Sequence, residues 1–411
     1  MSHGQDPSDQ PIRHIGLIAK GRQEWIGGVE YTRNLINSVN LLPLHLRKRF
    51  KLSLLVAKAC DVELFSDFSG AVDLIIPEET HAPPPLNLGQ KVLSRVRRKI
   101  SANAVTANPG FEHICRKFSI DFVYPYFERP LAHTRFEWAS WIPDFQHKHL
   151  PEFFSSTELR ERDERDRKFL TYSKKVVLSS YSALSDLQRF YPELPHEKVQ
   201  VLNFHTYLPD SWCEGDPSEV QAKYHLPDRF FLVSNQFWQH KNHSVVVEAI
   251  RILKRRGIDV VVVCTGSLLD YRKPQFMDAF FARLHLEGIQ TQLRVLGLVP
   301  RKDQIQLMRR SLAVIQPSKF EGWSTVVEDA RGFGKTLLIS DLPVHREQNV
   351  IGARYFNVDA ADRLADYMAE IWPQQPGPYL DKERAGRLEA RILAENSGRA
   401  FLAICGAKGI S

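Results

Sequence analysis

Nothing in the 411-residue chain approaches the ~18 consecutive apolar residues of a membrane-spanning helix. Residues 1–12 (MSHGQDPSDQPI) lack the apolar core of a secretory signal. Cysteine is sparse: five residues, at positions 60, 115, 213, 264 and 405, without a C-x-x-C pair or metal-ligand spacing. That argues against a disulfide framework and a zinc site, and it points to a reduced, cytoplasmic protein. Composition is 43% hydrophobic and 25% charged, which excludes disorder as the main state. Domains usually run to ~100–200 residues, so a chain of this length is expected to form two lobes.

The net charge of +7 calls for an acidic partner: nucleic acid, an anionic membrane surface or a phosphorylated small molecule. One dense cluster, KVLSRVRRKI between Lys91 and Ile100, supplies five positive charges from Lys91, Arg95, Arg97, Arg98 and Lys99. It has no interleaved aromatics, and no helix-turn-helix or RNP pattern follows it, so no nucleic acid is expected. A solvated face and a peripheral contact with an anionic membrane both remain open. In the second case each charge would contribute about 1 kcal/mol of attraction to the headgroups, at the inner face of the cytoplasmic membrane.

Short β-branched runs at 13–19, 51–57, 72–77, 121–125 and 175–179 read as buried strands, with helical patterns at 29–42 and 182–191. The second half repeats the theme: strand 229–235, helix 243–256, Gly257 as a stop, then strand 259–265. Val260, Val261, Val262 and Val263 are apolar on both faces, as a parallel strand covered by helices on each side requires. Pairs follow at 293–298 with 303–310 and at 312–316 with 326–333, then a strand at 335–340. Such alternation predicts parallel sheets with right-handed crossovers. Two series predict an α/β protein of two doubly wound, Rossmann-like domains facing across a cleft. A hinge is expected at 207–217, and a break at 373–378 (PQQPGP) precedes a final amphipathic helix over 381–394. Ligands of open α/β sheets sit beyond the carboxyl ends of the strands, so the cleft is where chemistry is expected.

Three segments have residues suited to a phosphate and a sugar. Gly27 and Gly28 precede a helix whose free N–H groups favour an anion, although two glycines also serve an ordinary tight turn. Asn235, Gln236 and Lys241 follow a strand and open a helix. The Lys241 ammonium is placed to reach a diphosphate, though a lysine at a helix start is more often only solvated. In the third segment Glu321 is suited to accept hydrogen bonds from sugar hydroxyls. The backbone of Gly322, Trp323, Ser324 and Thr325 offers amides to a phosphate. Thr325 with Glu328 three residues on matches a capping box, so Glu328 is assigned to capping.

In this order the three pieces resemble the retaining GT-B glycosyltransferases of the fourth glycosyltransferase family, the glycosyl transferases group 1. The resemblance covers most of the chain and is strongest over 230–348, with PSKFEGWSTVVEDARGFGKTLLISDLPVHREQ (317–348) its most specific part. The family carries two acids separated by seven residues, the second five before a glycine. Counting back from Gly334 gives Asp329, eight beyond Glu321, with aspartate where glutamate is usual. The resemblance implies that Glu321 contacts the donor sugar and Asp329 the nucleotide ribose. Gln236 stands where the family has a second phosphate-binding arginine. Pro143 stands in the place of a histidine that ends a first-lobe strand, while Asp144 matches the aspartate beside it. His147 and His149 lie near enough in sequence to supply an imidazole, or are solvated loop residues.

The resemblance also implies an organisation: an acceptor-side domain over 1–206, a nucleotide-sugar-binding domain over 207–380, and a C-terminal helix at 381–411 packing back on the first domain. No Asp-x-Asp motif occurs, and metal-dependent GT-A transferases usually hold their ion with one. No metal and no cofactor are expected. The co-substrate is a nucleoside-diphosphate sugar, GDP-mannose or a UDP-sugar, and the acceptor a glycan or lipid-linked glycan of surface polysaccharide or lipopolysaccharide. Glu321, Lys241, Asp144 and His147 are the expected catalytic residues. A weakened nucleotide-sugar-binding partner subunit and a GT-B-type epimerase are the alternative readings.

Overall fold

The computed structural model describes residues 12–19, 26–81, 109–126, 136–270, 272, 273 and 275–406. The membrane-surface expectation for residues 91–100 lies outside the described residues.

Strands β1 (Arg13–Ile18), β2 (Phe50–Val56), β3 (Leu74–Pro77), β4 (Phe122–Tyr124) and β5 (Glu137–Trp138) form a parallel sheet in the order β3-β2-β1-β4-β5. Strands β6 (Ser140–Ile142), β7 (Val176–Leu178) and β8 (Val199–Val201) form a second parallel sheet in the order β6-β7-β8. Residues 137–142 join the two. The Ala139 amide donates to the Val123 carbonyl and the Ser140 amide to that of Lys175, so the segment changes partner at Ala139.

The second lobe is one sheet of six parallel strands: β9 (Phe231–Ser234), β10 (Val262–Thr265), β11 (Leu293–Gly297), β12 (Val314–Gln316), β13 (Leu337–Ser340) and β14 (Arg354–Phe356). Their order, β11-β10-β9-β12-β13-β14, is that of a doubly wound sheet. Burial follows from sequence. Val260, Val262 and Val263 are fully covered because helices lie on both faces. The helix His243–Arg255 buries Val246, Val247, Ala249, Ile250 and Leu253 and ends at Gly257, whose φ of +75° few other residues adopt.

This topology decides what meets at the cleft. The strand order reverses between β1 and β4 in one lobe and between β9 and β12 in the other, and crevices open at those points. Segments leaving β9 and β12 are therefore neighbours although some 80 residues separate Lys241 from Glu321.

The last helix, Leu380–Ile404, runs beyond the expected residue 394. It passes from one lobe to the other. A Cβ at Gly386 would lie 2.4 Å from the Arg331 carbonyl oxygen, and one at Gly398 would lie 2.3 Å from that of Ser38 in the helix Ile26–Asn40. Glycine alone permits backbones this close, which keeps the helix in register against both lobes. Phe401 and Leu402 are buried in the first-lobe core, where the Phe401 ring lies 5.4 Å from that of Tyr124.

Candidate active site in the cleft between the lobes

A cavity of about 550 Å³ lies between the lobes. Its second-lobe wall is sewn together by the segments that leave β9 and β12. Asn242, held at φ +57°, donates from Nδ2 to the carbonyls of Pro317 (3.1 Å) and Val358 (2.8 Å). The Lys319 amide donates to the His240 carbonyl at 2.8 Å. These bonds bring Lys241 to Glu321: the ammonium lies 2.7 Å from Oε1. The same oxygen accepts from Gln316 Nε2 and Ser318 Oγ, each at 2.7 Å. Asn235 Nδ2 in turn donates to Gln316 Oε1 at 2.9 Å. Asn235, Gln236, Lys241, Glu321, Gly322, Trp323, Ser324, Thr325 and Asp329 all line the cavity.

At Gly322 the lobes come close together. A Cβ there would lie 2.6 Å from the Pro143 carbonyl oxygen and 2.8 Å from the Asp144 Cβ. Asp144, at the end of β6, thus stands against the acid-glycine pair from the opposite lobe. Burial pushes its carboxyl above the ordinary range and nearby Glu321 adds to this, while a 2.9 Å bond from the Gln146 amide and the charges of Arg162 and Arg165 oppose it.

His147 is a correction. The turn Gln146–His149 aims its ring toward the helix Ser156–Tyr172, where Nε2 lies 3.4 Å from Asp163 and 3.8 Å from Asp166. It is 2% exposed, burial lowers its pKa to about 4, and it does not line the cavity. His149 lies outside the lining too, donating from Nε2 to Asp186 Oδ1 (2.8 Å) with its ring 5.1 Å from that of Phe320. Of the two early glycines, Gly27 lines the cavity, whereas Gly28 is buried in the first turn of the helix Ile26–Asn40, where its carbonyl accepts from Thr32 Oγ1. Trp323 faces the cavity and donates from Nε1 to the Phe204 carbonyl at 2.7 Å, fixing it to the first lobe.

Glu328 is a second correction. The helix Thr325–Gly332 has Ser324 as its N-cap, without a side-chain cap bond, so Glu328 sits one place too late for a capping box. Instead its carboxylate accepts from His205 Nδ1 (2.6 Å), Gln348 Nε2 (2.7 Å) and Arg331 Nε (3.2 Å). Burial pushes this carboxyl up, but His205, Arg331 and Gln348 outweigh it and hold the pKa below the ordinary range. A carboxyl depressed in the folded state stabilises above its unfolded pKa of ~4.3, and that contribution is lost as pH falls through the folded value. Glu328→Gln is therefore expected to cost about 3 kcal/mol at pH 7. The gap to wild type should narrow below about pH 4, which thermal melts across pH will check.

Sequence reasoning missed Arg301. It opens the helix Arg301–Arg310 behind Pro300 and resembles any solvated helix-start residue, yet it lines the cavity. Its Nη2 reaches both oxygens of Asp329, at 2.8 and 2.7 Å.

Two doubly wound lobes that close an acid, a lysine and a helix N-terminus into one cleft define the GT-B architecture of glycosyltransferases. Residues 218–384 match the family described as glycosyl transferases group 1. The matched residues fall in the second lobe. No curated protein matches it by sequence. Its fold is shared by a glycosyltransferase from Rickettsia africae, with a TM-score of 0.61 and 17% identity over 96% of this chain and 97% of that one. HepE from Anabaena, solved with UDP and glucose, has a TM-score of 0.62 and 14% identity over 96% and 100% of the two chains. WaaG, a glycosyltransferase involved in lipopolysaccharide biosynthesis, has a TM-score of 0.59 and 13% identity over 96% and 100%. Among the described residues no helix is long and apolar enough to cross a membrane.

Proposed function

We propose that the protein moves a hexosyl group from a nucleoside-diphosphate sugar, GDP-mannose or a UDP-sugar, to a glycan or lipid-linked acceptor of surface polysaccharide, with retention at the anomeric carbon. The observation that carries this reading is the meeting of Lys241 and Glu321 at 2.7 Å beside the N-terminus of the helix Thr325–Gly332. Lys241, turned from Glu321 toward the donor, would meet the charge that grows on the diphosphate as the C1–O bond breaks. The helix amides would share that charge, preorganised and out of bulk water. The acceptor oxygen bonds to C1 from the same face, and its proton passes to the departing phosphate oxygen. Glu321 holds sugar hydroxyls, and Asp144 orients the sugar or acceptor from the first lobe. Closure of the lobes keeps water from taking the donor. A peripheral membrane contact through residues 91–100 belongs to the same proposal.

A thermal-shift panel of GDP- and UDP-sugars tests it. A ligand that binds only the folded state at 100 times its Kd stabilises by about 2.7 kcal/mol, so the true donor should raise the midpoint while the others do not. A flat panel would remove the proposal.

A further inference from the structure

Arg301 stands between two carboxylates, one from each lobe. On its own lobe the contacts are complete: Nη2 donates to both oxygens of Asp329 and Nη1 to Gln304 Oε1 at 2.9 Å. Gln304 in turn donates from Nε2 to Ser234 Oγ at the end of β9. Toward the other lobe the contact is only half made. Arg301 Nε faces Glu30 Oε2 at 3.4 Å. Both atoms are buried, and neither makes a hydrogen bond among the described residues. Glu30 belongs to the helix Ile26–Asn40, and its other oxygen faces Arg33 Nε at 3.4 Å. A buried N–H and a buried carboxylate oxygen that face each other unbonded gain from any movement that joins them.

Asp329 is the acid assigned above to the donor ribose, and the inference rests on that reading. Its side chain is 1% exposed, and both oxygens already serve Arg301. A ribose diol that donates to this carboxylate competes with Nη2. The guanidinium then gains most by leaning toward Glu30, whose Oε2 makes no hydrogen bond among the described residues and faces Nε at 3.4 Å across the cleft. We propose that Arg301 is a positioning residue that links occupancy of Asp329 by a ribose diol to Glu30 in the opposite lobe, so that this edge of the cleft draws shut on a ribonucleotide donor. Neither Arg301 nor Glu30 performs chemistry in this scheme. Coupling of this kind is reciprocal: what ribose does to the Glu30 contact, Glu30 does to the preference for ribose.

The test uses UDP and GDP with their 2′-deoxy counterparts, by calorimetry and by hydrogen exchange of the helix Ile26–Asn40. Wild type should bind the ribonucleotide about tenfold more tightly, as one hydrogen bond to a charged group implies. It should also protect that helix more with the ribonucleotide than with the deoxynucleotide. Glu30→Gln, isosteric and outside the second lobe, should bind the deoxynucleotide as wild type does and lower the ratio by about threefold, the share of the preference that the Glu30 contact carries. Equal protection of the wild-type helix by both nucleotides overturns the proposal without recourse to a variant, as does an unchanged ratio in Glu30→Gln. If neither UDP nor GDP binds wild type, the donor reading itself fails and takes this proposal with it. Binding with the link absent leaves the donor reading intact.

Discussion

Lys241→Ala is expected to lower glycosyl transfer by about 10²–10³-fold, the usual effect of removing one preorganised group from the site of developing charge. The thermal midpoint should move little. Glu321 keeps its bonds from Gln316 and Ser318 at 2.7 Å when the ammonium is gone, so no buried carboxylate is left without a donor. Glu321→Ala should remove transfer as well, but less cleanly. Gln316 and Ser318 are fully buried and would lose a shared acceptor, at a cost of about 1–3 kcal/mol. Transfer near the wild-type rate in Lys241→Ala would sink the assignment of this residue. A loss of activity matched by a loss of fold would not support it.

The second large effect is expected at Gly322. A methyl group there meets the Pro143 carbonyl oxygen at 2.6 Å and the Asp144 side chain at 2.8 and 3.1 Å, and two of these contacts are closer than real Cβ atoms approach. The obstacle belongs to the other lobe, so the substitution should hold the lobes apart rather than unfold either one. A misplacement of about 1 Å between reacting groups is worth roughly 10²-fold in rate, which sets the expected fall in kcat for Gly322→Ala. Donor affinity should change much less, because the donor contacts proposed above lie mainly in the second lobe. Steady-state kinetics that show kcat intact would mean that the contact with Pro143 and Asp144 is not part of the working arrangement.

How far the residues foretold this site differs from one to the next. Strand–helix alternation gave the two parallel lobes, because four successive valines at 260–263 have only one comfortable setting, a strand covered on both faces. Lys241 and Glu321 were legible because each leaves a strand next to the point where the sheet reverses order, which is a property of topology. A strand before Pro143 follows only from the resemblance and not from periodicity: the segment 137–142 spends two residues on one neighbour and three on the next, too short for a period to register. His147 was misplaced because three residues along a helical turn send a side chain away from the direction of Asp144, and sequence proximity carries no information about that turn. Glu328 matched a capping box only if the helix began after Thr325. It begins one residue earlier in register, with Ser324 as the cap, and burial against His205 and Arg331 then decides the role. Arg301 had no local signal at all, since its partners lie 28 residues ahead in Asp329 and in the first lobe at Glu30.

The proposed transfer requires Lys241 to reach the phosphate that leaves with the nucleotide. Calorimetry with nucleoside mono- and diphosphates, on wild type and on Lys241→Ala, measures this directly. The second phosphate should tighten binding to wild type by about tenfold, one charge-assisted contact's worth, and should add much less to Lys241→Ala, where only the helix amides remain to meet it. A variant that still prefers the diphosphate as strongly as wild type would contradict the claim.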